Sequence, residues 1–374
     1  MSRRSLLILF CLYLSCSGVS SATSGFAADT VAGRGLHGWF RYAGYGHSLY
    51  ADEHPDFFRL DVTAMSMSPE YDYSGKSRSY SMQTLGVFGI RLPIWCGNLS
   101  DGRYGLSVTQ AMSANIWMDL FESSTSPIVD TDYRISLPSI TFLHRLNTGS
   151  GRFLKNYSIR FCPFNHESTH IGDEMVLQRS DKGYALRRIN VSYNYLSLDL
   201  TLNEPENRHI MTHTFRLGLM LLLNPKEGWY FVEQRDGAEN NIWSDQSSHI
   251  GKAGTSARNG ASGLPFEMFL QYQFQSPCSK HGFQGIASAE IRNRAIYQYD
   301  LNETTVAASP RYGKADPHRF TYNIFIGARY NMPAYDGYFS RVALGIRAYH
   351  GNCPYGMFRS IDNVSHIGAC LIFQ

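Results

Sequence analysis

The segment from Asn165 to Glu174 is the densest polar cluster in the chain, with the sequence Asn-His-Glu-Ser-Thr-His-Ile-Gly-Asp-Glu. If the preceding strand continues through it, His166 and Ser168 lie on one face, with their roots about 7 Å apart. A neutral imidazole within hydrogen-bond reach of a serine hydroxyl activates that serine as a nucleophile. The spacing therefore predicts Ser168 as a nucleophile and His166 as its general base.

A nucleophilic serine of this kind also needs a third group, which holds the histidine in the required tautomer. Asn165, Glu167 and Asp173 are the local candidates for this group. Backbone amides near Gly172 are the candidate donors to the oxyanion of the reaction. The segment thus contains all the residue types of a hydrolytic site.

The same segment supports three other interpretations. Its histidines and serine could do no more than hydrogen-bond across a polar interior. His166 and His170 with Asp173 or Glu174 offer metal ligands, but a four-residue histidine spacing fits a helix rather than a strand, so no metal is expected. The segment could also be a tight turn in which Gly172 adopts a special backbone conformation.

The elements that carry these residues are predicted to be β-strands. Alternating apolar and polar residues recur over about ten positions and are separated by turn residues, which is the pattern of transmembrane strands. The predicted strands lie near Phe57–Met65, Gln83–Ile94, Tyr104–Trp117, Tyr133–Leu146, Phe153–His166, Leu186–Tyr193, Leu196–Leu202, Met211–Leu223, Trp229–Gln234, Pro265–Phe274, Gly285–Tyr297, Phe320–Tyr330, Phe339–Tyr349 and Ser365–Phe373. Two of these are short or merge with a neighbour. The pattern predicts an all-β fold, a closed antiparallel transmembrane β-barrel of about twelve strands, with ten or fourteen as alternatives.

Composition favours the barrel over a pair of secreted soluble β-sandwiches. Charged residues make up 17% of the chain, which is low, and Tyr (24), Phe (22) and Gly (33) are abundant. These values suit a wall with one apolar and one polar face. A net charge of +3 and scattered basic residues exclude a nucleic-acid partner. An odd number of cysteines after the signal, without CxxC spacing, argues against a disulfide framework, although Cys278 and Cys353 could pair.

Both ends of the chain indicate export to the outer membrane of a bacterium. A basic start and an apolar run to Leu14 predict a signal peptide over residues 1–22. The last strand ends with Phe373 one residue before the C terminus, which is how outer-membrane barrels end. We therefore expect outer-membrane lipids and, through the C-terminal strand, the barrel-assembly machinery as partners. Residues 23–55 are predicted as a periplasmic or luminal arm, and residues 56–374 as the barrel.

Charged residues in the predicted strands and loops could line the lumen. Such a network could bias a pore toward anions, or its arginines could pair with carboxylates and be structural. The predicted ligand or lumen network consists of His170, Asp173, Glu174, Arg188, Arg292 and Arg294.

His-x-Ser preceded by asparagine resembles the catalytic segment of outer-membrane phospholipase A, and it is similar to that of the lipid A deacylases. In those barrels a His-x-Ser pair on one strand cleaves lipid esters. The match covers His166 and Ser168 only and does not extend to the asparagine-containing pattern further along the phospholipase. This resemblance implies a membrane-embedded lipid acyl hydrolase.

A longer motif resembles a different bacterial family. His-x-Ser-x-His-x-Gly-Asp-Glu from His166 to Glu174, followed by Arg-Ile-Asn-x-Ser from Arg188 to Ser192, is similar to a family of outer-membrane barrels classed as a domain of unknown function. This resemblance implies an outer-membrane barrel with no established activity. Our first expectation is therefore a passive channel or a ligand-binding or structural barrel, and the hydrolase is the alternative. Neither resemblance identifies a cofactor.

Overall fold

The computed structural model describes residues 38–39, 45–66, 81–99, 102–119, 128–146, 154–171, 192–205, 210–223, 266–293, 320–332, 340–351 and 364–374. All of their regular secondary structure is β-strand. The strands are β1 (Gly38–Trp39), β2 (Phe58–Ser66), β3 (Ser81–Leu99), β4 (Tyr104–Asp119), β5 (Ile128–Ser136), β6 (Ser139–Arg145), β7 (Asn156–Ile171), β8 (Ser192–Leu202), β9 (Thr212–Leu223), β10 (Phe266–Gln275), β11 (Phe283–Asn293), β12 (Phe320–Asn331), β13 (Arg341–Gly351) and β14 (Val364–Phe373). No helix long and apolar enough to span a membrane occurs in these ranges.

The strands close into a ring through the antiparallel pairing of β14 with β2, in which Phe373 is opposite Phe58. β5 and β6 follow each other between the same two neighbours, β4 and β7, and so make one position of the wall. The short β1 pairs only with Trp95 and Cys96 of β3. The wall is therefore a closed antiparallel barrel of twelve strands, which confirms the predicted fold class.

Side chains alternate between the two sides of this wall, as the period of a β-strand requires. The outer side is apolar around the ring, with exposed residues that include Val62, Phe88, Ile135, Ile159, Leu198, Leu217, Leu270, Ile291, Ile326, Ile346 and Ile367. The inner side is polar and buried, with Asp61, Gln83, Asp132, Ser158, Asp199, Thr214, Gln271, Glu290, Asn323 and Arg347. An apolar skin around a polar interior is the arrangement of a transmembrane β-barrel.

Residues 45–57, which we call the luminal segment, lie inside the barrel before the chain enters β2. The backbone N–H of Tyr50 donates to Gln273 Oε1 (2.8 Å), and that of Ala51 donates to Ser288 Oγ (3.1 Å). Asn323 Nδ2 donates to the carbonyl of Ala51 (2.6 Å). These wall residues come from β10, β11 and β12, so the segment satisfies its backbone groups with inward side chains instead of a sheet.

Arginines from other parts of the wall hold the luminal segment by its carbonyl groups. Arg134 Nη2 donates to the carbonyl of His54 (2.8 Å), and Arg216 Nη2 donates to that of His47 (2.6 Å).

Arg91 forms an ion pair with Asp56. Burial opposes the charge on Asp56, but Arg91 and other nearby cations outweigh it and hold the pKa of this carboxyl below its usual range.

A buried ion network links β13 to β2 next to the luminal segment. Asp61 Oδ2 lies 3.1 Å from Arg59 Nε and 2.9 Å from Arg347 Nη1. All three side chains are almost completely buried. The carboxylate therefore separates two cations that share a small volume of the lumen.

Replacing Asp61 by alanine should lower the free energy of unfolding by about 3–5 kcal/mol, because removing one partner of a buried ion pair leaves the opposite charges uncompensated. Urea unfolding of the protein in lipid vesicles, followed by fluorescence, measures this change. Val62→Leu alters the next residue, on the outer face, and should leave the unfolding midpoint almost unchanged. Equal midpoints for Asp61→Ala and the wild type would contradict this role of the network.

Candidate functional site

A β-bulge interrupts β7 just before the predicted reactive segment. Cys162 pairs with Ser197 of β8 and Asn165 pairs with Tyr195, so three steps along β7 correspond to two along β8. Pro163 and Phe164 together therefore oppose a single residue of β8. Proline has no N–H to contribute to the ladder. The bulge therefore lies where the sequence cannot continue regular pairing.

The bulge changes which residues of β7 face the membrane. Before it, Ile159 and Phe161 are exposed on the outer face. After it, Asn165, Glu167 and Thr169 are buried on the inner face. His166 and Ser168 alternate with these buried residues and so lie on the outer face, where both are partly exposed.

Asn194 of β8 is the side chain that contacts His166. The two residues are direct cross-strand partners, and His166 Nδ1 lies 2.8 Å from Asn194 Oδ1. An amide oxygen only accepts hydrogen bonds, so Nδ1 carries the proton and Nε2 keeps its lone pair. This is the tautomer that a general base acting on serine requires.

The neighbours of this pair on the outer face are largely apolar or aromatic. Ile135 of β5 is opposite His166, and Tyr133 is opposite Ser168. Both side chains are about half exposed, at 48% and 51%. Leu223 of β9 is opposite Asn194. His166, Ser168 and Asn194 therefore form a polar island, here called the outer triad, within an apolar surface.

The outer triad lies toward the end of the barrel at which β7 ends. Strands are joined at this end by the long segments 67–80, 172–191, 224–265 and 294–319. At the other end the connections 100–103 and 276–282 are short. Outer-membrane barrels have short periplasmic turns and long extracellular loops, so the triad lies on the extracellular side of the wall.

Asn165 and Glu167, the predicted orienting groups, face the lumen and lie on the opposite side of the wall from the imidazole. Asn165 Nδ2 contacts the Tyr195 carbonyl (3.3 Å) and Ser197 Oγ (3.4 Å). The side chain that contacts the imidazole is instead Asn194, which was not among the predicted site residues. The only signal for it is an asparagine among the outward leucines of β8.

Arg292 is the member of the predicted lumen network that the structure describes in full. It faces inward, with Nε 3.0 Å from Glu290 Oε1 and 3.5 Å from Glu53 Oε2 of the luminal segment. The side chain of His170 lies outside the described residues, as do Asp173, Glu174, Arg188 and Arg294. Within the described ranges, no cluster of His, Cys, Asp and Glu could hold a metal ion. Cys278 is a free thiol, and Cys353 lies outside the described residues.

A small polar cavity of about 60 Å³ lies inside the barrel, between the luminal segment and inward side chains of the wall. It is lined by charged residues, including Asp56, Arg91, Arg134, Arg160 and Asp199. A cavity of this size and polarity suits ordered water. No member of the outer triad lines it, so the lumen and the outer site are separate environments.

The fold and the site together define a transmembrane β-barrel with a histidine, a serine and an asparagine on its lipid-facing side. The chain is similar to outer membrane phospholipase A from Escherichia coli (14% identity, 85% of this chain and 90% of that chain, TM-score 0.38). A structure of that protein with an active-site asparagine replaced by alanine gives 14% identity, the same coverage and a TM-score of 0.40.

Other similar structures have different functions. An outer membrane channel from Pseudomonas putida F1 is 10% identical over 89% of this chain and 99% of that chain (TM-score 0.39). The translocator domain of the autotransporter NalP from Neisseria meningitidis is 10% identical over 99% and 95% (TM-score 0.38). No protein family and no curated protein matches the sequence. Sequence identities and TM-scores this low do not indicate which activity this protein has.

The orientation of β7 can be tested by comparing Ser168→Cys with Glu167→Cys. Because the two positions face opposite sides of the wall, a lipid-soluble maleimide should label the cysteine at position 168 in the folded protein and reach that at position 167 only after unfolding. Fragment-ion mass spectrometry locates each label and separates it from native Cys162, which lies in the same peptide. Rapid labelling at position 167 with protection at position 168 would contradict the orientation given by the bulge.

Proposed function

We propose that this protein is an outer-membrane lipid acyl hydrolase that acts from the outer face of its barrel. The observation that carries the proposal is the 2.8 Å contact between His166 Nδ1 and Asn194 Oδ1, with Ser168 two residues away on the same face. The contact fixes the histidine tautomer that leaves Nε2 as a base.

The chemistry follows from the positions of the three groups. His166 Nε2 accepts the hydroxyl proton of Ser168 while Oγ attacks the carbonyl carbon of the ester. Asn194 accepts the hydrogen bond from Nδ1 and keeps the ring in place as it becomes charged. The alcohol then leaves with the proton held by His166, and water hydrolyses the acyl-serine by the same route in reverse. The oxyanion donors expected near Gly172 lie outside the described residues.

The surroundings of the triad support an acyl ester of the membrane as substrate. Ile135, Tyr133 and Leu223 border the polar island and offer an apolar surface to an acyl chain. The position near the extracellular end of the wall brings the ester region of a lipid, with water, to the serine. A substrate that diffuses in the bilayer therefore reaches the site without entering the lumen.

The passive channel, our first expectation from the sequence, has less support from the described residues. The luminal segment contacts inward side chains from β5, β9, β10, β11 and β12 and so crosses the width of the lumen. A barrel filled in this way is suited to support a site on its wall.

Ser168→Ala and His166→Ala should each reduce the release of fatty acid from phospholipid vesicles by at least about 100-fold, because each removes a group that takes part in proton or acyl transfer. Asn194→Ala should also reduce the rate, since the imidazole loses its orientation. The measurement is fatty-acid release by purified protein, with and without calcium. Ser66→Ala, an outward serine on β2, is the matched control and should keep wild-type activity.

The proposal would fail if the folded wild-type protein released no fatty acid in either condition. It would also fail if Ser168→Ala were as active as the wild type. Heat-dependent migration in gels shows whether each variant has folded into a barrel, so a loss of activity through misfolding is recognised.

Conductance in planar bilayers tests the channel alternative. Because the luminal segment occupies the interior, we expect the full-length protein to give no steady ion conductance. Stable, reproducible conductance steps would favour the channel over a closed barrel. The same preparation should be assayed for fatty-acid release, so that both functions are judged on one sample.

A further inference from the structure

A histidine–serine contact lies on the outer face of the barrel, between β13 and β14. His350 Nδ1 is 2.8 Å from Ser365 Oγ, and the two residues are direct cross-strand partners. Their neighbours Tyr349 and His366 are buried on the luminal side, so His350 and Ser365 face outward. In the strand order β13 and β14 lie across the barrel from β7, so this pair is separate from the outer triad.

The pair lies where the apolar skin of these two strands ends. Toward the middle of the wall, the outward residues are Leu344, Ile346 and Ile367, which are each about 60% exposed (63%, 60% and 58%). His350 is the penultimate residue of β13, and Ser365 is the second residue of β14. The pair is therefore at the end of the barrel that carries the long connections, where lipid ester groups meet water.

The hydroxyl and the imidazole are available for chemistry. Their hydrogen bond is on the exposed surface, and no other residue in the described ranges forms a hydrogen bond with either side chain. His144 and His213, at the opposite end of the barrel, contact tyrosine hydroxyls instead of a serine. His350 is thus placed to act on a serine, which is the minimum that activating the serine requires.

We propose that His350 and Ser365 form a second acyl-transfer site, which takes ester-linked lipid at the outer rim of the membrane and supplies only the small activity that remains in Ser168→Ala. His350 Nδ1 accepts the hydroxyl proton as Ser365 Oγ bonds to the ester carbonyl carbon. The bond from that carbon to the alcohol oxygen breaks, and the alcohol leaves with the proton from His350. Water then attacks the acyl-serine and releases the carboxylic acid, which restores both side chains.

Ser66 of β2 is a matched serine for which the described residues include no histidine partner. Ser66 of β2 is the cross-strand partner of Ser365 on its other side, and its hydroxyl donates to the backbone carbonyl of Ser365 (3.4 Å). Ser66 and Ser365 therefore share a position on the wall and differ in the neighbouring base. A reagent that merely accumulates at this surface should treat the two serines alike.

The test uses the full-length Ser168→Ala protein, folded in detergent micelles and exposed to an alkyl fluorophosphonate, followed by mass spectrometry of the labelled peptides. Ser365 Oγ should displace fluoride and become bonded to phosphorus, while Ser66 stays unmodified. His350→Asn in the same background keeps a polar side chain but cannot accept the proton, so labelling of Ser365 should fall by about 100-fold. Ser365→Ala should remove the label.

An unmodified Ser365 in the folded Ser168→Ala protein would overturn the proposal. So would labelling of Ser365 that equals that of Ser66 or survives His350→Asn, because the pair would then be a cross-strand hydrogen bond only. Labelling of Ser365 therefore tests this proposal separately from the outer triad. Labelling of Ser168 is measured on the wild-type protein, in a different peptide. Gel migration before and after heating confirms that each variant is folded.

Discussion

The pairing of β14 with β2 is the constraint on which the rest of the structure depends. In a bilayer each backbone N–H and C=O must find a partner within the protein, and a sheet meets that requirement only when it has no free edges. The ladder from Ser365 opposite Ser66 to Phe373 opposite Phe58 removes the last two edges. Closure also separates an inner face from an outer face, so the alternating side chains of each strand point either to the lumen or to the lipid.

The polar interior that results has to be filled and neutralised. Inward arginines such as Arg216 and Arg292 could not remain buried without acceptors. The luminal segment supplies both carbonyl oxygens and carboxylates, and the wall supplies the remainder through residues such as Asp61 and Glu290. The segment therefore acts as the core of the barrel, which explains why an acidic and irregular stretch of chain is almost completely buried.

The luminal core also supports the wall behind the outer triad. Arg134 of β5 donates to the carbonyl of His54 and is the cross-strand partner of Glu167 on β7. Glu167 is the residue between His166 and Ser168, so the inner face of the strand is fixed where its outer face carries the triad. A polar cluster that is held by a packed interior on one side and is open to lipid on the other can keep its geometry.

Much of the architecture follows from the sequence alone, because period-two alternation and turn residues are local properties. They predict an all-β barrel of about twelve strands, and they identify His166 and Ser168 as a pair on one face. The side chain that contacts His166 was not accessible in this way. Asn165 and Glu167 are adjacent in sequence, yet Asn194, 28 positions from His166, makes the contact.

The tertiary structure decided the face and the partners, because strand register is set by pairing between distant segments. Without the bulge between Cys162 and Asn165, the alternation established by Ile159 and Phe161 would turn His166 toward the lumen. Only the register of β7 with β8 brings Asn194 to His166, and only that of β13 with β14 brings His350 to Ser365. The sequence determined which residues are present, while the closed ladder determined which of them meet and on which side.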